Sequence, residues 1–159
     1  MDKWSDIEEK FKHVTDRLGR PIDDGIFKTV VALNVLGIST RMSCEGHLDH
    51  GLPYPWADIE PETQSETKRE ISEAEAPEYR KRAMLLLQQK LFLYLSEFYD
   101  NRTVRYDRII ALHQLGRLYS HGGDFLELLS QDERLNKLHE YQDEMNAFTE
   151  FLRATYNKE

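Results

Sequence analysis

Three side chains capable of metal or acid–base chemistry are concentrated in residues 44–50: Cys44, His47 and His50. A thiolate and two imidazoles at this spacing suit Zn²⁺, which prefers four nitrogen or sulfur ligands. Three protein ligands with one open position are the pattern of catalytic zinc sites. The spacing therefore predicts a Cys/His pocket that binds a divalent metal, zinc above all, or a small-molecule ligand, and that could support hydrolysis.

Further ligands for such a metal would have to come from other parts of the chain. Asp49, Asp58 and Glu60 could add a carboxylate oxygen, and His113 or His121 could come from a second hairpin. The sequence has neither the HExxH pattern of metalloproteases nor the P-C-x-x-C half of a zinc deaminase site. The metal prediction thus depends on residues 44–50 alone.

Two other interpretations of the same residues stay open. In the first, Cys44 is a nucleophile without metal, its pKa lowered by His47 or His50, with Glu45 or Asp49 orienting the imidazole. In the second, Cys44 is a small core residue at the end of a strand and the histidines only bind the loop or face solvent. The catalytic candidates are accordingly Cys44 and His47, and the metal-ligand candidates are Cys44, His47 and His50.

The elements that must position this loop are two short strands and a preceding helix. Alternation and β-branched residues predict strands over residues 38–44 and 54–59. A helix with a wide apolar stripe is predicted from residues 23–24 to Gly37, lying against the sheet. Residues 106–122 fit a helix or a hairpin, and the Gly116 and Gly122-Gly123 breaks favour the hairpin.

Three further helices are predicted around this sheet. Trp4, Ile7 and Phe11 begin a periodic pattern that continues to Leu18, and residues 79–99 are apolar around nearly the whole circumference of a helix. The last helix is predicted to begin at Asp132. The fold class is therefore α+β: a small, mostly antiparallel sheet of two hairpins, packed against a long central helix and terminal helices.

Length and charge restrict the domain organisation and the partners. The 159 residues suit one domain, 1–159, with a mobile acidic linker at 60–78. A net charge of -8 repels phosphate, so neither nucleic acid nor a membrane surface is an expected partner. One cysteine and an N-terminus unlike a signal peptide indicate a cytoplasmic protein. A homo-oligomer is compatible with the sequence but not indicated by it.

An alternative function is a non-catalytic protein-interaction module that acts through the C-terminal helix. The apolar residues at helical spacing on that helix are Leu135, Leu138, Met145, Phe148 and Leu152. If this stripe is exposed, it would fit a partner helix or a second copy of the chain.

Several segments together resemble a group of uncharacterised bacterial and phage proteins. They are the Ser-Cys-Glu-Gly-His box at 43–47, the preceding residues 32–40, the following residues 51–59, and the later stretches 116–118 and 122–124. The resemblance covers most of the chain, and it implies no activity. A shorter Ser-Cys-x-Gly box, here residues 43–46, also occurs in the wybutosine-synthesis methyltransferase family. That likeness spans too few residues to imply a substrate or cofactor.

Overall fold

The computed structural model describes residues 2–62 and 72–159 of the chain. Within them, the α-helices are α1 (Lys3–Lys12), α2 (Asp24–Val35), α3 (Ala76–Asp100) and α4 (Gln131–Tyr156). The strands are β1 (Thr40–Cys44), β2 (Trp56–Ile59), β3 (Ile110–Leu112) and β4 (Arg117–Ser120). Among the described residues, Tyr106–Arg108 and Gly123–Leu128 also form short 3₁₀ helices.

The described strands form one antiparallel sheet in the order β1–β2–β4–β3. β1 pairs with β2, β4 pairs with β3, and the two hairpins join through β2 and β4. The turn between β3 and β4 contains Gly116 at φ +93°, a conformation that glycine adopts without steric cost. The α+β class and the hairpin within residues 106–122 are therefore both confirmed.

The main core lies between one face of the sheet and the helices. Successive side chains of a strand point to opposite faces, so β2 and β4 present alternate residues inward. The inward residues Ala57, Ile59 and Leu118 are buried, whereas Asp58 and Arg117 lie on the outer face and pair with each other. The helical side chains that pack on the inner face include Ile26, Val30, Leu33, Leu91, Leu95, Met145, Phe148 and Leu152.

Helix α3 contributes one face to this core. Leu91, Leu95 and Phe98 are buried, but the apolar side chains on the other face of the helix are exposed. The prediction that nearly the whole circumference would be buried is wrong, because the described residues of the chain cover α3 from one side only.

The N-terminal boundary of α3 changes the predicted linker at 60–78. α3 begins at Ala76 with Pro77 in its first turn, where proline is tolerated because the first turn has no intrahelical partner for its N–H. The last residues of the predicted linker are therefore helical. Its central part, residues 63–71, lies outside the described residues.

Helix α1 is shorter than its apolar pattern predicts. It ends at Lys12 rather than near Leu18. The Asp16 carboxylate accepts hydrogen bonds from the backbone N–H groups of Leu18 and Arg20, at 2.8 and 2.9 Å. This local turn competes with helix formation, as short acidic side chains often do.

Helix α4 packs its apolar stripe into the core of its own chain. Leu138, Met145, Phe148 and Leu152 are buried, and of the predicted stripe only Leu135 is exposed. The helix begins two residues earlier than predicted: Ser130, rather than Asp132, is the N-cap, in a reciprocal capping box with Glu133. The exposed stripe that would favour an interaction module on this helix is therefore not available on α4.

A fully buried carboxylate connects α4 to α3 and to the segment before β3. Glu144 receives hydrogen bonds from Arg102 at 2.7 and 2.9 Å, from Arg108 at 3.1 Å and from the Tyr99 hydroxyl at 3.0 Å. The Glu144 side chain is 0% exposed. Burial by itself would raise the pKa of Glu144, but these hydrogen bonds and charges outweigh it and hold the pKa below its ordinary value.

Candidate metal centre

The Ser-Cys-Glu-Gly-His box is located where β1 ends beside the N-terminus of α2. Glu45 connects the box to α2, because its carboxylate accepts a hydrogen bond from the Gly25 backbone N–H at 2.7 Å. A carboxylate at this position compensates the positive end of the helix dipole. On the other side, Gln142 of α4 donates to the Glu45 carbonyl oxygen at 3.0 Å. The loop is thus fixed between two helices, and Glu45 has a structural role.

Three different ligand types converge at this point. The Asp23 carboxylate, the Cys44 sulfur and a His47 ring nitrogen all lie within 4.8 Å of one another. His47 Nε2 is 3.2 Å from Asp23 Oδ2, and Nε2 must be the donor because an ionised carboxylate only accepts. The backbone N–H of Glu45 donates to the same oxygen at 3.1 Å. Each of the three side chains is partly buried, so the group is sheltered but open to solvent.

Asp23 is an ionised member of this group. Burial would raise its pKa, but the hydrogen bonds from the Glu45 backbone and from His47, together with the charge of His47, lower it below the ordinary value. Asp23 is the N-cap residue of α2, yet its side chain makes no capping bond. Its carboxylate is directed instead to the loop.

Cys44 is a protonated thiol in this environment. Burial is the largest cause that raises its pKa, and the negative charges of Asp23 and Glu45 raise it further. The Gly46 N–H, 3.4 Å from the sulfur, acts in the opposite direction but does not outweigh them. A thiolate therefore needs a nearby cation here. This argues against the metal-free nucleophile, for which a lowered pKa is required.

His50 does not join Cys44. Its ring stacks on that of His47, with centroids 4.1 Å apart, and its Nδ1 is 2.8 Å from Asp49 Oδ1. Both side chains of this pair are largely exposed, 64% for His50 and 85% for Asp49. His47, Asp49 and His50 thus form a second, more exposed group that shares His47 with the first.

The other ligand candidates lie elsewhere. Asp58 makes a bidentate pair with Arg117, at 2.7 and 2.9 Å, and His113 Nδ1 accepts a hydrogen bond from the Leu115 backbone. His121 packs edge-on against Tyr106. Within residues 2–62 and 72–159, the two groups that contain His47 are the ones with metal-ligand spacing.

A cavity found in the described part of the chain is separate from these groups. It is a cleft of about 500 Å³ over the outer face of the sheet. None of Cys44, His47 and His50 lines it. Its polar and aromatic lining residues include Arg41, Tyr54, Asp58, His113, Arg117, Tyr119 and Asp124. Many of these groups already bind one another: Tyr54 donates to Asp124 at 3.2 Å, and Arg117 binds Asp58. The predicted pocket at residues 44–50 is therefore a site at a loop rather than a deep cavity.

Sequence reasoning found two members of the three-ligand group and missed Asp23. Its carboxylate comes from 24 residues before His47, and the helix pattern explained it as part of a helix N-terminus. An acidic residue at a predicted helix N-terminus does not by itself indicate a metal ligand. Only the fold brings the Asp23 carboxylate next to Cys44. None of the described helices is both long enough and apolar enough to cross a membrane.

Comparisons with protein-family models, with curated proteins and with solved structures find no match to this chain. Any function must therefore be argued from the geometry of the site.

Proposed function

We propose that the protein binds a divalent metal ion, Zn²⁺, through Asp23, Cys44 and His47, leaving one coordination position open. The observation that carries the proposal is the convergence of a carboxylate, a thiol and an imidazole within 4.8 Å in a partly buried site. Tetrahedral zinc with its usual bond lengths places its ligand atoms about 3.3–3.8 Å apart. Small rotations of these three side chains would reach that spacing.

The charges around the group favour a cation. Asp23 is an ionised carboxylate, and the Cys44 thiol is prevented from ionising by burial and by its acidic neighbours. A zinc ion would reverse the second effect, because a coordinated thiol is deprotonated. The His47 Nε2 proton, now donated to Asp23, would be replaced by the metal. One dication would thus balance the charge of Asp23, stabilise the thiolate of Cys44 and bind the imidazole of His47.

The open position determines what the site could do. His50, stacked on His47, is near enough in sequence and space to be a fourth ligand after a loop movement. With water there instead, zinc lowers the pKa of the bound water to about 7 and supplies a nucleophile at neutral pH. A small ligand with a carbonyl or phosphoryl oxygen would coordinate at the same position, and hydrolysis of such a ligand is the reaction that the site would support.

The test is the zinc content of untagged protein, measured by elemental analysis after dialysis. We expect near-stoichiometric zinc at neutral pH and its loss on acidification, because protons compete for the thiolate and the imidazole. Asp23→Asn, Cys44→Ser and His47→Ala should each weaken zinc affinity at least about tenfold, since the loss of a residue that merely supports a ligand already costs about 10–100-fold, and so lower the zinc retained after dialysis. His50→Ala separates a fourth ligand from an open position, since the loss of zinc in this variant would identify His50 as a ligand.

The matched control is His139→Ala, an exposed histidine of α4 outside both groups, which should retain full zinc. Protein that stays metal-free after incubation with excess zinc would contradict the proposal. So would a zinc content that Asp23→Asn and Cys44→Ser leave unchanged.

A further inference from the structure

Helix α3 exposes a band of large apolar side chains on the face opposite the core. Its members are Leu85 (55% exposed), Leu86 (56%), Phe92 (60%) and Leu93 (60%). Leu85 and Phe92 are seven residues apart, as are Leu86 and Leu93, so the band continues along one side of the helix for two turns. Single exposed apolar residues are normal, but a contiguous group on one helix face is typical of an interaction surface.

The spacing of this band is symmetric about Gln89. Leu85 and Leu93 each lie four residues from it, and Leu86 and Phe92 each lie three. If a second α3 packs antiparallel with a two-fold axis at Gln89, every apolar residue of the band faces an apolar residue of the other copy. A two-fold contact needs this kind of self-complementary surface.

Opposite charges lie at the two ends of the band, Arg82 seven residues before Gln89 and Glu97 eight residues after it. Arg82 and Glu97 are exposed and 15 residues apart, which at 100° per residue places them on the same side of the helix, next to Leu86 and Leu93. In the antiparallel arrangement, Arg82 of each copy lies beside Glu97 of the other. A parallel arrangement would place like charges together. Neither residue forms an ion pair with any part of the chain that the structure describes.

We propose that a second copy of this chain covers the band, so that the protein is a homodimer joined by antiparallel α3 helices. The apolar band supplies the buried centre of the interface, and the Arg82–Glu97 pairs at its two ends set the direction. This surface is independent of the metal centre, since its residues belong to α3 and those of the centre to the N-cap of α2, to β1 and to the loop that follows.

The mass in solution, measured by light scattering and sedimentation over a range of concentrations, tests the proposal. We expect twice the chain mass of 18.8 kDa. Phe92→Asp and Leu86→Asp should each yield the monomer mass, because a carboxylate would be buried without a partner. Their helical circular dichroism should be unchanged, since both side chains face solvent in the monomer.

Charge reversal tests the direction of the helices. Arg82→Glu and Glu97→Arg should each raise the dimer dissociation constant about tenfold, because like charges then face each other at both ends. The double variant Arg82→Glu/Glu97→Arg should return to the value of the unaltered protein. Arg80→Glu, an exposed charge on the opposite side of the same helix, is the matched control and should change nothing.

A monomer at every concentration overturns the proposal and assigns the band to a different partner. A dimer that survives Phe92→Asp overturns it as well, because the contact must then lie elsewhere. The antiparallel arrangement is overturned if Phe92→Asp abolishes the dimer but the double charge reversal binds no more tightly than the single charge reversals.

Discussion

Glu144→Ala should destabilise the folded protein by about 3–5 kcal/mol, as is typical when one partner of a buried ion pair is removed. Glu144 is fully buried, and it is the shared acceptor for Arg102, Arg108 and the Tyr99 hydroxyl. Without Glu144, the guanidinium groups of Arg102 (33% exposed) and Arg108 (28% exposed) would lie together with no anion between them. The measurement is urea denaturation of the unaltered protein and of Glu144→Ala. Their free energies of unfolding are compared when both have the same dependence on urea concentration.

Glu140→Ala is the matched control. Glu140 lies one turn before Glu144 on the same helix and pairs with Arg105 and Lys137, but its side chain is 34% exposed. Ion pairs in contact with solvent contribute at most about 1 kcal/mol. Equal losses for the two variants would mean that the burial of Glu144 has no energetic consequence, which would contradict this prediction.

The same carboxylate predicts a pH dependence. Because the pKa of Glu144 is lower in the folded protein than in the unfolded chain, its contribution is complete above the unfolded value, about 4.3. That contribution is lost as the pH falls through the folded pKa. Other carboxylates with lowered pKa values, such as Asp23 and Asp107, add to the slope. The stability of Glu144→Gln should therefore fall less steeply with acidification than that of the unaltered protein, measured by urea denaturation between pH 7 and about pH 3.

Gly46→Ala should cost several kcal/mol of stability and abolish the geometry of the metal centre. Gly46 has a φ of +91°, where an L side chain costs about 1–2 kcal/mol. A Cβ there would lie 2.7 Å from the backbone carbon of Tyr54 and 2.7 Å from Leu138 Cδ1. Overpacking adds about 1–3 kcal/mol, and the backbone of Tyr54 cannot rotate away as a flexible side chain would. Denaturation and zinc content together measure both consequences.

Gly51→Ala, in the same loop, separates the two causes. Gly51 also has a positive φ, +64°, but a Cβ at that position would meet nothing within 4 Å. It should therefore show the conformational cost alone, about 1–2 kcal/mol, and retain metal. If Gly46→Ala is no worse than Gly51→Ala, the contact with Tyr54 does not fix the loop.

The fold was largely predictable because its hairpins and helices are encoded locally. Gly116 between two short β-branched and aromatic runs predicts the second hairpin, and the structure has it. What local pattern could not predict is which apolar faces find a partner. The sequence of α3 is apolar around nearly the whole helix and that of α4 along one stripe, yet Phe148 of α4 is buried and Phe92 of α3 is exposed. Only the packing of the helices against one side of the sheet distinguishes them.

The candidate site was predictable in part. Cys44 and His47 are three residues apart, so their proximity follows from the chain itself. Asp23 reaches them because α2 packs beside the end of β1, a contact between distant segments. His50 is only three residues beyond His47, but the loop turns it toward Asp49. Spacing could therefore nominate ligands, but the fold decided which of them meet.

The double attachment of Glu45 has a consequence for the order of events during synthesis on the ribosome. Its side chain binds Gly25, 20 residues away, and its carbonyl oxygen binds Gln142, 97 residues away. The first bond joins segments that are made together, whereas the second must wait until α4 has been translated. We therefore expect a nascent chain that ends before Gln142 to hold the loop by one side only, so that the loop reaches its final geometry among the last steps of folding.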